Sequence, residues 1–496
     1  MMSLFVNDFK YVLPEIFCLT AVLVLLVYGV IYSTSSQHGY PILSRNVVWL
    51  AVLSLFFTVL LILNQSYLEA SIFHNTLIID FFSQFAKLVI LLSAIASLLL
   101  SLDYLRSQKI NSFEYAILIV LSTLGMLLMV SSYDLISMYL ALEFQSLCLY
   151  VLAALKRHSE FSTEAGLKYF ILGAFSSGIL LFGASLVYGF TGMTNLEDLG
   201  KLFAGLGYDH SIQSGAVLIG MLLVAVGLLF KVYAVPFHVW VPDVYEGSPT
   251  IVTAFFAMTP SLSVLAFFIR FFFSAFYDFL DYWQQMLLFC SIASLIVASL
   301  AALSQKKIKR LLAYSAIGHA GYMLIGFASG TPDGIQAMLL YSVVYIMMTL
   351  GMFAFILATR EQFKGQQIKY ISDLNILFKT NPILAFSVAL ILFSLAGIPP
   401  LAGFLSKLYI FFSAVKVSLY FVVVIGVVTS VIGTVYYLRL IQIMYFEKVK
   451  AYVTYQQMDR TKSLLLGISC FFILFFMAYP SPLIILTHKA ALTLCL

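Results

Sequence analysis

Six basic residues, Lys87, Lys168, Lys231, Arg270, Lys407 and Arg439, fall inside long apolar runs. A charge near the centre of a bilayer costs about 3 kcal/mol or more, so such residues face a protein interior and mark an ion, substrate or proton path. Carboxylates are scarcer in these runs. Glu143, in Leu140-Ala-Leu-Glu143-Phe-Gln145, has no charged neighbour in sequence, so its partner must come from another helix. Lys231 lies five residues before Pro236 and seven before His238. A proline there removes a backbone bond and clashes one turn back, so the helix breaks close to the lysine. The theme recurs in Ala396-Gly-Ile-Pro399-Pro400-Leu-Ala-Gly-Phe-Leu-Ser-Lys407, with the lysine now after the prolines.

The chemistry such a set supports is proton transfer. Desolvation disfavours the charged form of a buried lysine and a nearby carboxylate favours it, so moving one charge switches the other. Histidine titrates near neutrality and suits a relay, and His238 and His319 each stand in or at the edge of an apolar run. Glu143, Lys168, Lys231, His238, His319 and Lys407 are therefore competent as a proton wire with water between its members. Plainer readings stand beside this one. Lys87, Arg270 and Arg439 read as side chains that snorkel or pair locally. His319 could instead donate to a carbonyl in a tight helix contact, and the prolines could be kinks alone. The Phe and Tyr side chains read as lipid-facing or interfacial mass.

These residues must be held by membrane helices. Of the 496 residues 62% are hydrophobic and 10% charged, with a mean hydropathy of +1.02, against about 25% charged in soluble domains. Apolar runs near the ~20 residues needed to cross a bilayer recur throughout. They predict an all-α integral membrane protein with 14 spans, near 11–33, 46–64, 79–101, 113–131, 133–155, 163–189, 213–240, 249–276, 283–303, 310–328, 335–359, 382–415, 417–446 and 462–484. Broken spans seven and twelve, at corresponding places in two five-helix runs (spans 4–8 and 9–13), are the pattern of an inverted-repeat transporter core. The expected division is 1–112 as an N-terminal three-helix segment, 113–446 as the core, and 447–496 as a C-terminal helix and tail. The first span carries Asp8, Lys10 and Glu15 rather than a basic leader, and reads as a retained helix.

On 14 spans, the odd-numbered connections, counted with Arg310 and Lys462 at the span edges that adjoin them, carry 17 of the 27 Lys and Arg, and the opposite side only Lys10, Lys201, Lys416 and Lys489. The basic side is then the cytoplasmic or matrix side and both termini face outward. The net charge of +5 reflects topology and not a nucleic-acid partner. Cys18, Cys148, Cys290, Cys470 and Cys495 show neither CxxC nor Cys/His clustering, and no glycine-rich phosphate loop follows a strand. No metal, nucleotide or redox cofactor is therefore expected in this chain.

Several stretches together resemble a known family: Tyr139-Leu-Ala-Leu-Glu143, Ser162-Thr-Glu-Ala-Gly-Leu-Lys168, Phe230-Lys231 through Pro236-Phe-His238, Pro242-Asp-Val-Tyr-Glu-Gly-Ser-Pro249, Lys309-Arg-Leu-Leu-Ala-Tyr-Ser-Ala-Ile-Gly-His319, and Leu395-Ala-Gly-Ile-Pro-Pro through Lys407. They are similar to the antiporter-like membrane subunits of NADH:ubiquinone oxidoreductase, respiratory complex I, with its mitochondrial subunit 2 branch nearest, over almost the whole chain. The resemblance implies that Glu143 is the fifth-helix glutamate, Lys168 the sixth-helix lysine, Lys231 the broken seventh-helix lysine that pairs with that glutamate, and Lys407 the twelfth-helix lysine. It implies a non-redox membrane-arm subunit that couples electron transfer elsewhere in the complex to proton translocation across the mitochondrial inner membrane, or its bacterial counterpart. NADH, FMN, iron–sulfur clusters and ubiquinone would belong to partner subunits; other membrane-arm subunits and membrane lipids would be the neighbours. Animal versions lack the first three helices, so the long form implies a plant, algal, protist or bacterial source.

One position departs from the family. Ser261 stands where the eighth helix usually carries a lysine, so either His238 and water bridge the gap or this chain's own channel is weakened. Two other functions share the residue pattern: a subunit of a stand-alone cation/proton antiporter complex, and a structural membrane subunit that conducts nothing.

Overall fold

The computed structural model describes residues 8–33, 40–65, 69–108, 110, 112–205, 212–360, 367–375, 377–447 and 457–495. Helices of up to 32 residues dominate because long apolar stretches satisfy their backbone groups internally only when helical. Eleven helices are long and apolar enough to cross a membrane, and further apolar helices of 10–17 residues lie among the described residues. The chain divides into two compact units.

Unit one takes Met1–Val232, Thr259–Trp283 and Lys489–Leu496. Its helices are α1 (Leu13–Ser33), α2 (Tyr40–Leu63), α3 (Phe81–Ser107), α4 (Glu114–Ser131), α5 (Leu135–Ala153), α6 (Glu160–Thr191), the short α7 (Leu196–Gly205) and α8 (Ile212–Lys231). A two-stranded antiparallel hairpin, β1 (Ala70–Ile72) with β2 (Leu77–Ile79), precedes α3 and was not expected from hydropathy. The N-cap Asp80 accepts from the backbone N–H of Ser83 in a reciprocal capping box that starts α3. Small residues let α6 and α8 touch: a Cβ on Gly183 would lie 2.7 Å from the Gly220 carbonyl. That contact fixes the helix that ends on Lys231.

Unit two takes Tyr233–Met258 and Gln284–His488. It contains α9 (Trp240–Gly247) and α10 (Thr250–Met258); α11 (Pro260–Arg270) follows in unit one. Next come α12 (Leu280–Leu303), which begins in unit one, then α13 (Ile308–Ala328), α14 (Pro332–Ala358), the one-turn α15 (Leu377–Thr380), α16 (Pro382–Ala396), α17 (Ala402–Lys416), α18 (Tyr420–Phe446), α19 (Arg460–Phe475) and α20 (Ser481–Cys495).

The expected breaks in spans seven and twelve are present. α8 stops at Lys231 and helix resumes at Trp240; α16 stops at Ala396 and helix resumes at Ala402. Two further interruptions were read as continuous. Span eight divides at Thr259 because Pro260 supplies no N–H to the turn before it. The last span, expected over 462–484, ends at Phe475, and Ser481–Cys495 forms a separate helix after Pro480. The side chain of Cys495 lies outside the described residues.

Candidate functional site

The charges expected to snorkel or pair locally divide two ways. Arg439 is exposed and its guanidinium donates to the Leu303 carbonyl at 3.1 Å, a local pairing at a helix end. Lys87 and Arg270 correct the expectation. Lys87 pairs with Glu15 at 2.5 Å, both buried, tying α3 to α1. Arg270 donates to both carboxylate oxygens of Asp80 at 3.0 Å, and only 2% of its side chain is exposed. Each ammonium or guanidinium here faces a full counter-charge, which is the arrangement of a static buried pair.

Lys231 and Lys407 differ. Among the described residues no carboxylate lies within 4.0 Å of either amine, although both are buried. In unit one, Lys231 Nζ donates to Ser146 Oγ and to Tyr150 OH, each at 2.9 Å. Both acceptors are on α5, at three and seven residues from Glu143 and so on its face of the helix. Glu143 Oε1 is buried without a hydrogen-bond partner among the described residues, and no direct pair joins the carboxylate to Lys231. A Cβ on Gly173 of α6 would sit 2.1 Å from Tyr150 OH, so the absence of a side chain there is what admits the phenol. Lys168, on α6, is 42% exposed and paired with Glu164 at 2.8 Å, one turn away. Ser261 is buried near the start of α11, where Ser263 donates to Gln145 Oε1 at 3.1 Å.

In unit two, Lys407 reaches back across the break in span twelve. Its amine donates to the carbonyls of Leu395 and Ala396 at 3.1 and 3.0 Å. These belong to the last turn of α16, whose carbonyls have no helical partner and whose dipole end is negative, so a cation is favoured there. Gly397 closes α16 with φ +86°, a conformation open to glycine, and a Cβ there would meet Lys407 Nζ at 3.0 Å. The Tyr322 ring lies 5.0 Å from the amine.

His319, buried on α13, is held by two phenols: Nδ1 lies 2.5 Å from Tyr341 OH and Nε2 3.2 Å from Tyr437 OH. Tyr437 OH is also hydrogen-bonded to Ser315 Oγ. His319, Lys407, Ser315, Tyr322, Thr429 and Tyr437 line one cavity with about 20 Å³ of room for water centres. A single water needs roughly 10–15 Å³ by that measure. His238 stands apart in the irregular segment after α8, half-buried, with Nδ1 unpartnered among the described residues. The N–H of nearby Val235 donates to Ser294 Oγ at 2.9 Å and anchors that segment to α12.

Sequence reading named the charged groups and missed the neutral oxygens around them. Ser146, Tyr150, Ser315, Tyr322, Tyr341 and Tyr437 carry no intrinsic signal, and the tyrosines were taken for lipid-facing mass. Helical spacing was the available clue: Ser146 is three residues from Glu143, and Ser315 four from His319.

Comparison with known proteins agrees with this geometry. Residues 132–433 match the family described as NADH:quinone oxidoreductase/Mrp antiporter, TM. NADH-ubiquinone oxidoreductase chain 2 of Marchantia polymorpha is 55% identical over 99% of this chain and 100% of its own length. The protein of the same name from Arabidopsis thaliana is 50% identical over 99% and 97%. A chain in the solved structure of respiratory complex I from Thermus thermophilus with bound aureothin superposes with a TM-score of 0.79 at 28% identity, over 95% of this chain and 98% of that one. With its broken helices, buried lysines and full-length relatives, this chain belongs to the NADH:quinone oxidoreductase/Mrp antiporter family, as a multi-pass, proton-translocating membrane-arm subunit of NADH:ubiquinone oxidoreductase.

Proposed function

We propose that this chain passes protons through two polar sites of its own: Glu143 and Lys231, with Lys168 at the edge, in unit one; His319 and Lys407 in unit two, where His238 stands apart as a further relay. The observation that carries this reading is the company the two lysines keep. Lys231 is held by hydroxyls and Lys407 by carbonyls, all neutral groups, so giving up a proton breaks no direct ion pair. Lys87 and Arg270 have no such freedom, because Glu15 or Asp80 would be left charged and alone. Glu143 stands on the same face of α5 as Ser146 and Tyr150, the two acceptors of Lys231, so a charge appearing near it alters the field on the lysine without a fixed bond.

On this reading the chain itself does no redox chemistry. NADH, FMN, the iron–sulfur clusters and ubiquinone sit in partner subunits, and the other membrane-arm subunits supply the drive, since each proton moves against about 2.3 kcal/mol per 100 mV. The chain lies in the mitochondrial inner membrane with both termini on the intermembrane-space side, as the excess of basic residues in the odd-numbered connections argues.

The test is Glu143→Gln and, separately, Lys407→Ala in the assembled complex, with NADH-driven proton uptake by inverted membrane vesicles as the readout. Each should slow translocation about tenfold or more if the residue holds a transferred proton. Unchanged translocation in correctly assembled variants would make the chain a scaffold.

A further inference from the structure

We propose that protons reach His319 and Lys407 from the ion cluster at the start of α13 through a second cavity, with Ser315 as the hydroxyl that joins it to the first. The proposal rests on the reading that His319 and Lys407 carry protons.

The second cavity has about 10 Å³ of room for water centres, the least that holds one water, and its wall combines Tyr245, Ser315, Tyr345 and Thr349 with the apolar Ala257, Leu312, Met352, Phe353 and Leu395. Ser315 and Leu395 line both cavities. The wall of the second cavity also touches His319 from two directions. Tyr345 packs its ring 4.9 Å from the imidazole, and Ser315 Oγ is bonded to the Tyr437 hydroxyl that faces Nε2.

Two residues of its wall are close in the chain to charged ones: Tyr245 precedes Glu246, and Leu312 follows Arg310 by two residues on α13. Glu246 pairs with Lys307, and Arg310 donates to Glu246 and to Asp243 at 3.3 Å. These side chains are 20–39% exposed. From Arg310, Ser315 lies about 7.5 Å and His319 about 13.5 Å along the helix axis. The α13 helix thus runs from a partly exposed ion cluster to a buried imidazole, and its Leu312, Ser315 and His319 line the cavities.

A hydroxyl suits the junction because it donates and accepts at one atom. Ser315 Oγ accepts a proton from water in the second cavity while its own proton leaves for Tyr437 or for water in the first. One proton passes and the serine is unchanged. Thr349 Oγ1 donates to the carbonyls of Tyr345 and Ile346, which leaves its lone pairs to hold water in place.

The experiment uses Ser315→Ala, Ser315→Thr, Tyr245→Phe and His319→Gln in the whole complex in inverted vesicles. It reads the initial rate of NADH-driven proton uptake and its solvent deuterium isotope effect. Ser315→Ala should slow uptake about tenfold and enlarge the isotope effect, because proton transfer then limits the rate. Ser315→Thr, which keeps the hydroxyl, should restore most of it, and Tyr245→Phe should slow it severalfold. If His319→Gln slows uptake while Ser315→Ala and Tyr245→Phe leave it unchanged, the inlet is wrong and the site reading stands. If His319→Gln leaves it unchanged, both fall. Should Ser315→Ala fail to assemble, Tyr245→Phe decides: slowed uptake with an enlarged isotope effect supports the route and normal uptake overturns it.

Discussion

Lys407 donates to the Ala396 carbonyl at 3.0 Å although eleven residues and two prolines separate them. The amine of one half-helix therefore caps the other. This arrangement fixes the lysine in the break and makes its position depend on the turn that returns the chain.

Gly397→Ala should disturb that turn twice over. Its φ of +86° costs an alanine about 1–2 kcal/mol, and the new Cβ would press on Lys407 Nζ and Cδ at 3.0 Å. Proton translocation by assembled complex should fall, while NADH oxidation by an artificial acceptor, which bypasses the membrane arm, should persist. Full translocation would show that the lysine tolerates displacement.

Tyr150→Phe and Ser146→Ala each remove one acceptor of Lys231 and leave the helix otherwise intact. Each should destabilise the charged amine by about 1–3 kcal/mol and reduce translocation, with the double variant worse than either. Gly173→Ala should act in the same direction by displacing the Tyr150 phenol. A double variant that pumps at the normal rate would remove Lys231 from the path.

The Asp80–Arg270 pair should behave as structure and not as part of the path. Asp80→Ala leaves a buried guanidinium uncompensated, at a cost of about 3–5 kcal/mol. Asp80→Leu with Arg270→Met should recover much of that, as measured by thermal unfolding of the solubilised complex. Translocation per NADH oxidised should be unaltered in the double variant; a drop would bring the pair into the proton route.

Lys168→Gln should cost no more than about 1 kcal/mol, because its pairing with Glu164 is half-exposed. Lys87→Gln strands the buried Glu15 and should cost about 3–5 kcal/mol. Comparing the two melting temperatures checks the difference. Equal losses would mean that neighbouring subunits cover Lys168 in the complex.

Hydropathy and proline placement act along the chain, and for that reason the sequence by itself determined the membrane class, most of the spans and the breaks beside Lys231 and before Lys407. It also marked Glu143 and the intramembrane lysines, since a charge in an apolar run is conspicuous without any knowledge of its surroundings. Pro260 carried the same kind of signal for the interruption at Thr259, but the apolar residues on both sides made the run look continuous. The partners were another matter. Lys231 meets Ser146 from 85 residues away, His319 meets Tyr437 from 118, and Arg270 meets Asp80 from 190. Serine and tyrosine are common in membrane helices and become polar contacts only where packing turns them inward. Tertiary structure alone therefore decided which charges are locked in ion pairs, which rest on neutral oxygens, and where water-sized cavities lie between them.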